Sequence, residues 1–107
     1  MRDRLAVLLL ALLLPASAHA QGLSPVGAER QKELLYLVRQ DCGSCHGLTM
    51  KGGLGPALTP EALKSRTPQG LAVTILDGIP DTAMPPWRPL LTEAEARFIG
   101  EALLKGL

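Results

Sequence analysis

The 107-residue chain has only two cysteines and two histidines, and this scarcity narrows the chemistry open to it. A structural zinc site takes about four Cys or His ligands, and one of the two histidines, His19, lies in a leader-like segment, so too few remain. No alternating run of β-branched residues follows that segment, which argues against strands and against the βαβ setting of a redox dithiol. No later stretch is long and apolar enough to cross a bilayer as a helix. Charge of one sign is also missing: of 11 basic and 10 acidic side chains, Arg2, Arg4 and Asp3 fall near the N-terminus and the remainder balance. Nucleic acid, as a general polyelectrolyte partner, is therefore not implied. Internal repeats and low-complexity tracts are absent.

The N-terminus is organised for export. Arg2 and Arg4 precede the aliphatic run Leu5 to Leu14, which is too short to span a membrane, and Ala18-His19-Ala20 provides a small-x-small cleavage site. Residues 1–20 are expected to be a secretory signal peptide, with 21–107 as one mature domain and the periplasm as its compartment. Ala16-Ser17-Ala18 is a second cleavage site that would leave His19 on the mature chain; cleavage after Ala20 is favoured. So small a domain is near the size at which a protein core alone is marginal.

What the chain does contain is Cys42-Gly43-Ser44-Cys45-His46, two thiols three apart followed by an imidazole, the attachment pattern of c-type haem. Cys42 and Cys45 on successive turns can reach the two vinyl groups of one porphyrin, and His46 then lies beneath the ring as the proximal ligand. The thiols would be consumed as thioethers, and the buried porphyrin would supply the core that so short a chain lacks.

The remaining elements read as helices and loops. Ser24-Pro25 is expected to open a first helix whose apolar stripe, Leu34, Leu35, Val38 and Cys42, runs to Gly43. Tyr36 and Leu37, off that stripe, are expected to pack against another helix. Lys51 to Pro56 is glycine-rich and should wrap. Thr59-Pro60-Glu61 and Thr67-Pro68-Gln69 each pair an N-cap with proline at the first helical position, predicting two short helices. The second should stop at Gly78 in a left-handed cap, with Pro80 preventing resumption. Thr92 and Glu95 form a capping box ahead of a last helix with Phe98, Ile99, Ala102 and Leu103 on its apolar face. The fold class is all-α, with long loops closed over a cofactor.

With the leader removed after Ala20, His46 is the only histidine, so the sixth iron ligand must be another residue. Met50 follows His46 too closely to reach the opposite face of the ring. Met84 sits in a distant loop where Pro85-Pro86 restrict the backbone, and it is the candidate. A His/Met pair raises the reduction potential and suits an electron carrier.

Assembled, residues Ala28 to Leu104 closely resemble the class I monohaem cytochromes c: a helix ending in CGSCH, the Gly55-Pro56-Ala57-Leu58 turn, the Met84 loop and a terminal helix. The resemblance implies that the Pro56 carbonyl accepts a hydrogen bond from the free imidazole N–H of His46. It further implies that Leu58, Leu71 and Ile75 line the haem crevice and that Phe98 sits where the last helix crosses the first. DCGSCHGLTMKGGLGPALTPEAL and TILDGIPDTAMPPWRPLL are similar to the NirC-type small cytochromes c of denitrification clusters. That narrower likeness implies electron transfer to nitrite reductase or a redox step in maturing its d-type haem. Asp81 departs from the pattern, since glycine is more usual there. Trp87 and Arg88 are placed to donate to a haem propionate, or else to pack and to face solvent respectively. Lys51 and Lys64 are either partner-guiding or simply solvated.

The expected activity is single-electron transfer rather than catalysis, with the chain supplying haem burial, ligands and a docking face. A gas-binding or peroxidatic haem protein with a dissociable Met84 is the alternative, disfavoured by the lack of a second histidine or a placed general acid. A haem-binding assembly factor is a third reading.

Overall fold

In the computed structural model, residues 25–107 are described; the expected signal peptide, 1–20, lies outside them. Among the described residues every regular element is helical: α1 (Ala28–Leu37), a π-helical turn (Val38–Cys42), α2 (Gly43–His46), α3 (Pro68–Asp77) and α4 (Glu93–Lys105). None is long and apolar enough to cross a membrane.

The first three form one continuous rod whose start differs from expectation. It starts at Ala28 rather than at Pro25, with Gly27 in the N-cap position and no side chain capping it. Gln31 helps to hold the entry, its amide donating to the Val26 carbonyl at 2.9 Å. At its other end the rod runs through Gly43 and the attachment motif to His46, as the resemblance implies, and Gly47 at φ +89° ends it. Midway, the Gly43 N–H bonds to the Val38 carbonyl, five residues back, so the backbone widens by one residue. Leu34 and Val38 before this point are fully buried. Leu37 packs against the core as expected, but Tyr36 faces solvent at 67% exposure.

The Thr59 segment folds into turns rather than the predicted helix. Thr59 does cap locally, accepting from the Ala62 N–H at 3.3 Å, and Leu63 N–H reaches the Thr59 carbonyl at 3.0 Å. Too few residues then remain before Pro68, whose ring biases Thr67 toward extended backbone, and Thr67 is extended at φ −111°, ψ 156°. The Thr67 cap is present, with the Gly70 N–H donating to its hydroxyl at 3.0 Å. Gly78 ends α3 at φ +66°, ψ −170°, a mirror-β conformation rather than the expected left-handed helical one.

The α4 capping box forms in full: Thr92 N–H donates to Glu95 Oε1 at 3.0 Å and Glu95 N–H to the Thr92 hydroxyl at 3.1 Å. Glu95 also pairs with Arg30 of α1, joining the first and last helices. Its burial opposes ionisation, but hydrogen bonds from Thr92 and Arg30 outweigh that and hold the carboxyl below its ordinary range. The core is built from Leu34 and Val38, from Leu71, Ala72, Ile75 and Leu76 of α3, and from Ala96, Ile99 and Leu103 of α4, closed by Met50, Leu63 and Leu91 from the loops. Fully burying each large aliphatic side chain stabilises the fold by about 1.5–3 kcal/mol. Phe98 packs against the same cluster and, with Gln31 and Leu35, borders a groove between α1 and α4.

Candidate haem-binding site

The π-helical turn delivers Cys42 half-buried against the core and Cys45 exposed, and the two thiols are not joined to each other. Burial, chiefly, pushes the Cys42 thiol up to about 11, so it stays protonated at neutral pH. His46 follows at the end of α2, half-buried.

A helix leaves its last carbonyls without intrahelical partners, and here the glycine-rich loop supplies them. Gly55 N–H bonds to the Cys45 carbonyl and Gly52 N–H to the His46 carbonyl, each at 2.8 Å. This folds the loop back on the motif and brings Gly55 against the imidazole face. A Cβ at position 55 would stand 2.9 Å from His46 Cε1 and Nδ1, so only glycine permits this approach. The next residue then presents its carbonyl, and His46 Nδ1 lies 2.7 Å from Pro56 O. The contact implied by the resemblance is present. It makes Nδ1 the protonated nitrogen and leaves the Nε2 lone pair for a metal. Two unlinked thiols, an imidazole oriented in this way and a cradle that a methyl group would fill fit a covalently held haem.

Leu58 is partly buried and packs against the core that contains Leu71 and Ile75. Its N–H bonds to the Met50 carbonyl at 2.8 Å. Met50 itself is a core residue, 5% exposed, with φ +60°. Met84 is half-buried in the loop after α3, its N–H directed to the Thr82 hydroxyl at 3.3 Å and its carbonyl accepting from Ile79 at 3.2 Å.

Trp87 packs against the core. Arg88 is exposed, as in the solvent-facing alternative, and its guanidinium pairs at the surface, donating to Asp77 Oδ1 through Nη2 at 2.6 Å and lying 3.8 Å from Glu93. Lys51 and Lys64 are exposed. Sequence reasoning missed the roles of Gly55 and Asp77. The glycine-rich signal was legible, but which glycine meets the ring depends on the folded path. Two surface grooves, of about 350 and 420 Å³, lie elsewhere and share Arg39, Gly106 and Leu107; of the expected site residues only Leu58 borders either.

Comparison with known proteins agrees with this geometry. Residues 29–101 match the family described as cytochrome c oxidase, cbb3-type, subunit III. The chain is 58% identical over 96 residues to the cytochrome c55X of Paracoccus denitrificans (strain Pd 1222), spanning 90% of this chain and 93% of that protein. A solved c-type cytochrome NirC superposes with a TM-score of 0.73 at 50% identity, covering 75% of this chain and 94% of that one. A dihydro-heme d1 dehydrogenase from Pseudomonas aeruginosa is 41% identical across 87% of this chain, which spans only 17% of that longer protein. The chain belongs to the small c-type cytochromes of the NirC, or cytochrome c55X, type, and its cofactor is covalently bound haem c.

Proposed function

We propose that this protein is a periplasmic single-electron carrier of dissimilatory nitrite reduction. In this reading it is exported through residues 1–20 and holds one haem through Cys42 and Cys45. His46 and Met84 would hold the iron, with Pro56 orienting the histidine and Leu58 lining the crevice. The observation that carries the reading is the 2.7 Å contact between His46 Nδ1 and the Pro56 carbonyl directly behind the CGSCH motif. Haem iron supplies a one-electron couple when bound. The chain's residues fix the imidazole tautomer, withhold Met50 from the site by packing it in the core, and present Met84 from a separate loop. With both His46 and Met84 holding the iron, no position would be left for a substrate, which favours electron transfer over turnover.

Two partners suit this reading: nitrite reductase, as electron acceptor, and a protein that matures its d-type haem. The likeness to a dihydro-heme d1 dehydrogenase, whose short matching segment spans nearly all of this chain, favours the second. Stopped-flow mixing with oxidised nitrite reductase tests the donor role. Loss of the reduced spectrum at a rate rising with reductase concentration is expected of a donor. Normal transfer would be absent, but d-type haem content reduced in a deletion strain, if maturation is the task. No transfer together with normal nitrite reduction and normal d-type haem in the deletion strain refutes both.

The ligand pair is tested by near-infrared absorption. The sulfur-to-iron band should vanish in Met84→Ala and survive in Met50→Ala; the reverse pattern refutes the assignment.

A further inference from the structure

The loop that carries Met84 leaves the end of α3 and returns to it. The carbonyls of Ile75 and Leu76 lie in the last turn of α3, where helical partners run out. They accept instead from the Trp87 and Arg88 N–H groups, at 3.0 and 3.1 Å. A side-chain contact closes the same junction: Arg88 Nε and Nη2 both donate to Asp77 Oδ1, at 2.9 and 2.6 Å. Residues 78–86 therefore form a closed loop with Met84 inside it.

Gly78 stands at the mouth of this loop. Its φ of +66° is already unfavourable for any residue with a side chain. A Cβ there would also come within 2.7 Å of the Met84 carbonyl oxygen, and within 2.8 Å of Pro85 C and Pro86 N. All three are backbone atoms, so the space cannot be recovered by a rotamer change. The adjacent Ile79 N–H bonds to that same Met84 carbonyl.

We propose that Gly78, Asp77 and Arg88 are positioning residues for Met84, clamping its loop to the end of α3 so that the thioether resists displacement by competing ligands. The inference rests on the reading of Met84 as an axial ligand. Loosening the clamp raises the fraction of molecules with the thioether released, and the apparent affinity for an added ligand rises with that fraction.

The test is imidazole titration of the ferric holoprotein, followed through the near-infrared band, with melting temperature measured on the same samples. Gly78→Ala should bind imidazole at least about tenfold more tightly. Asp77→Asn and Arg88→Gln should each tighten binding about two- to five-fold, and the double variant no more than the tighter single. Arg88→Lys, which keeps the charge, should recover part of the wild-type resistance. Wild-type imidazole affinity in all of these variants, with only the melting temperature altered, overturns the clamp while leaving Met84 as ligand. Additive Asp77 and Arg88 effects overturn their action as a pair. If Gly78→Ala yields no holoprotein, the exposed pair decides the matter. Persistence of the band in Met84→Ala removes the axial reading itself, a result distinct from failure of the clamp.

Discussion

Asp81 occupies a position built for glycine, and replacing it should measure what that mismatch costs. The Thr82 N–H bonds to the Ile79 carbonyl at 3.2 Å, closing a four-residue turn with Pro80 second and Asp81 third, and Asp81 has φ +61°. Proline second and a positive φ third are the pattern of a type II turn, where glycine or asparagine is preferred. An ordinary L-residue in left-handed backbone loses about 1–2 kcal/mol; aspartate loses less because its short side chain tolerates the conformation. Asp81→Gly relieves that cost but frees the unfolded chain, which returns roughly 0.5–1 kcal/mol. The net expectation is a gain of about 0.5 kcal/mol. Asp81→Val, branched at Cβ, should lose about 1–2 kcal/mol. Asp81→Asn should be nearly neutral, which separates backbone preference from charge. With a urea slope of about 2 kcal/mol per molar, the valine variant should unfold roughly 0.5–1 M earlier and the glycine variant about 0.25 M later. Urea melts of the holoprotein at one pH read the order directly. A valine variant as stable as wild type, or a glycine variant clearly less stable, would refute the assignment of strain to this residue.

Glu95 serves both the α4 cap and the contact with Arg30. Loss of the cap alone in Glu95→Ala should cost about 1 kcal/mol in thermal or urea unfolding. Because its folded pKa is lowered from 4.5, its charge-dependent contribution is complete above that value and is lost as pH falls through the folded pKa. Glu95→Gln should therefore flatten that part of the acid-stability profile, measured as melting temperature against pH, and lower the melting temperature by a constant amount at neutral pH without changing the slope there. Cys42→Ala or Cys45→Ala should weaken or abolish stable holoprotein in a host competent for cytochrome c maturation. Mass spectrometry of the denatured product should show the haem increment on wild type, and apoprotein mass for wild type would refute attachment.

The parts of the fold that were legible are those set by local hydrogen bonding. Thr92 with Glu95 and Thr67 with Pro68 satisfy orphan N–H groups within one turn, so residue types at fixed offsets suffice to place them. Thr59-Pro60 carries the same local signal, yet the run to Pro68 is too short to repay helix nucleation. Tyr36 was misjudged, and the pairing of the exposed Arg88 with Asp77 went unforeseen, because burial and ion pairing depend on elements distant in sequence. The attachment motif and both methionines were readable as residues. The Pro56 contact came only through resemblance, because a backbone carbonyl leaves no trace in side-chain pattern. The packing of Gly55 against His46, and of Gly78 against the Met84 backbone, likewise exists only once the loops have closed.

The π-helical turn between Leu37 and Gly43 bears on how this chain tolerates change in length. An α-helix advances by roughly 100° and 1.5 Å per residue. Here five residues make the turn that four make in an α-helix, so deleting one within 39–41 would restore an ordinary helix with Leu34 and the attachment motif still in phase, whereas deleting one elsewhere in the rod would swing Cys42, Cys45 and His46 around the axis by about 100°. Composition and helical propensity would hardly alter in the second case, yet the imidazole would be turned from the Pro56 carbonyl and both sulfurs would face new directions. The widened turn thus acts as one residue of slack, taking up a change in length without moving the face that serves chemistry relative to the face that serves packing.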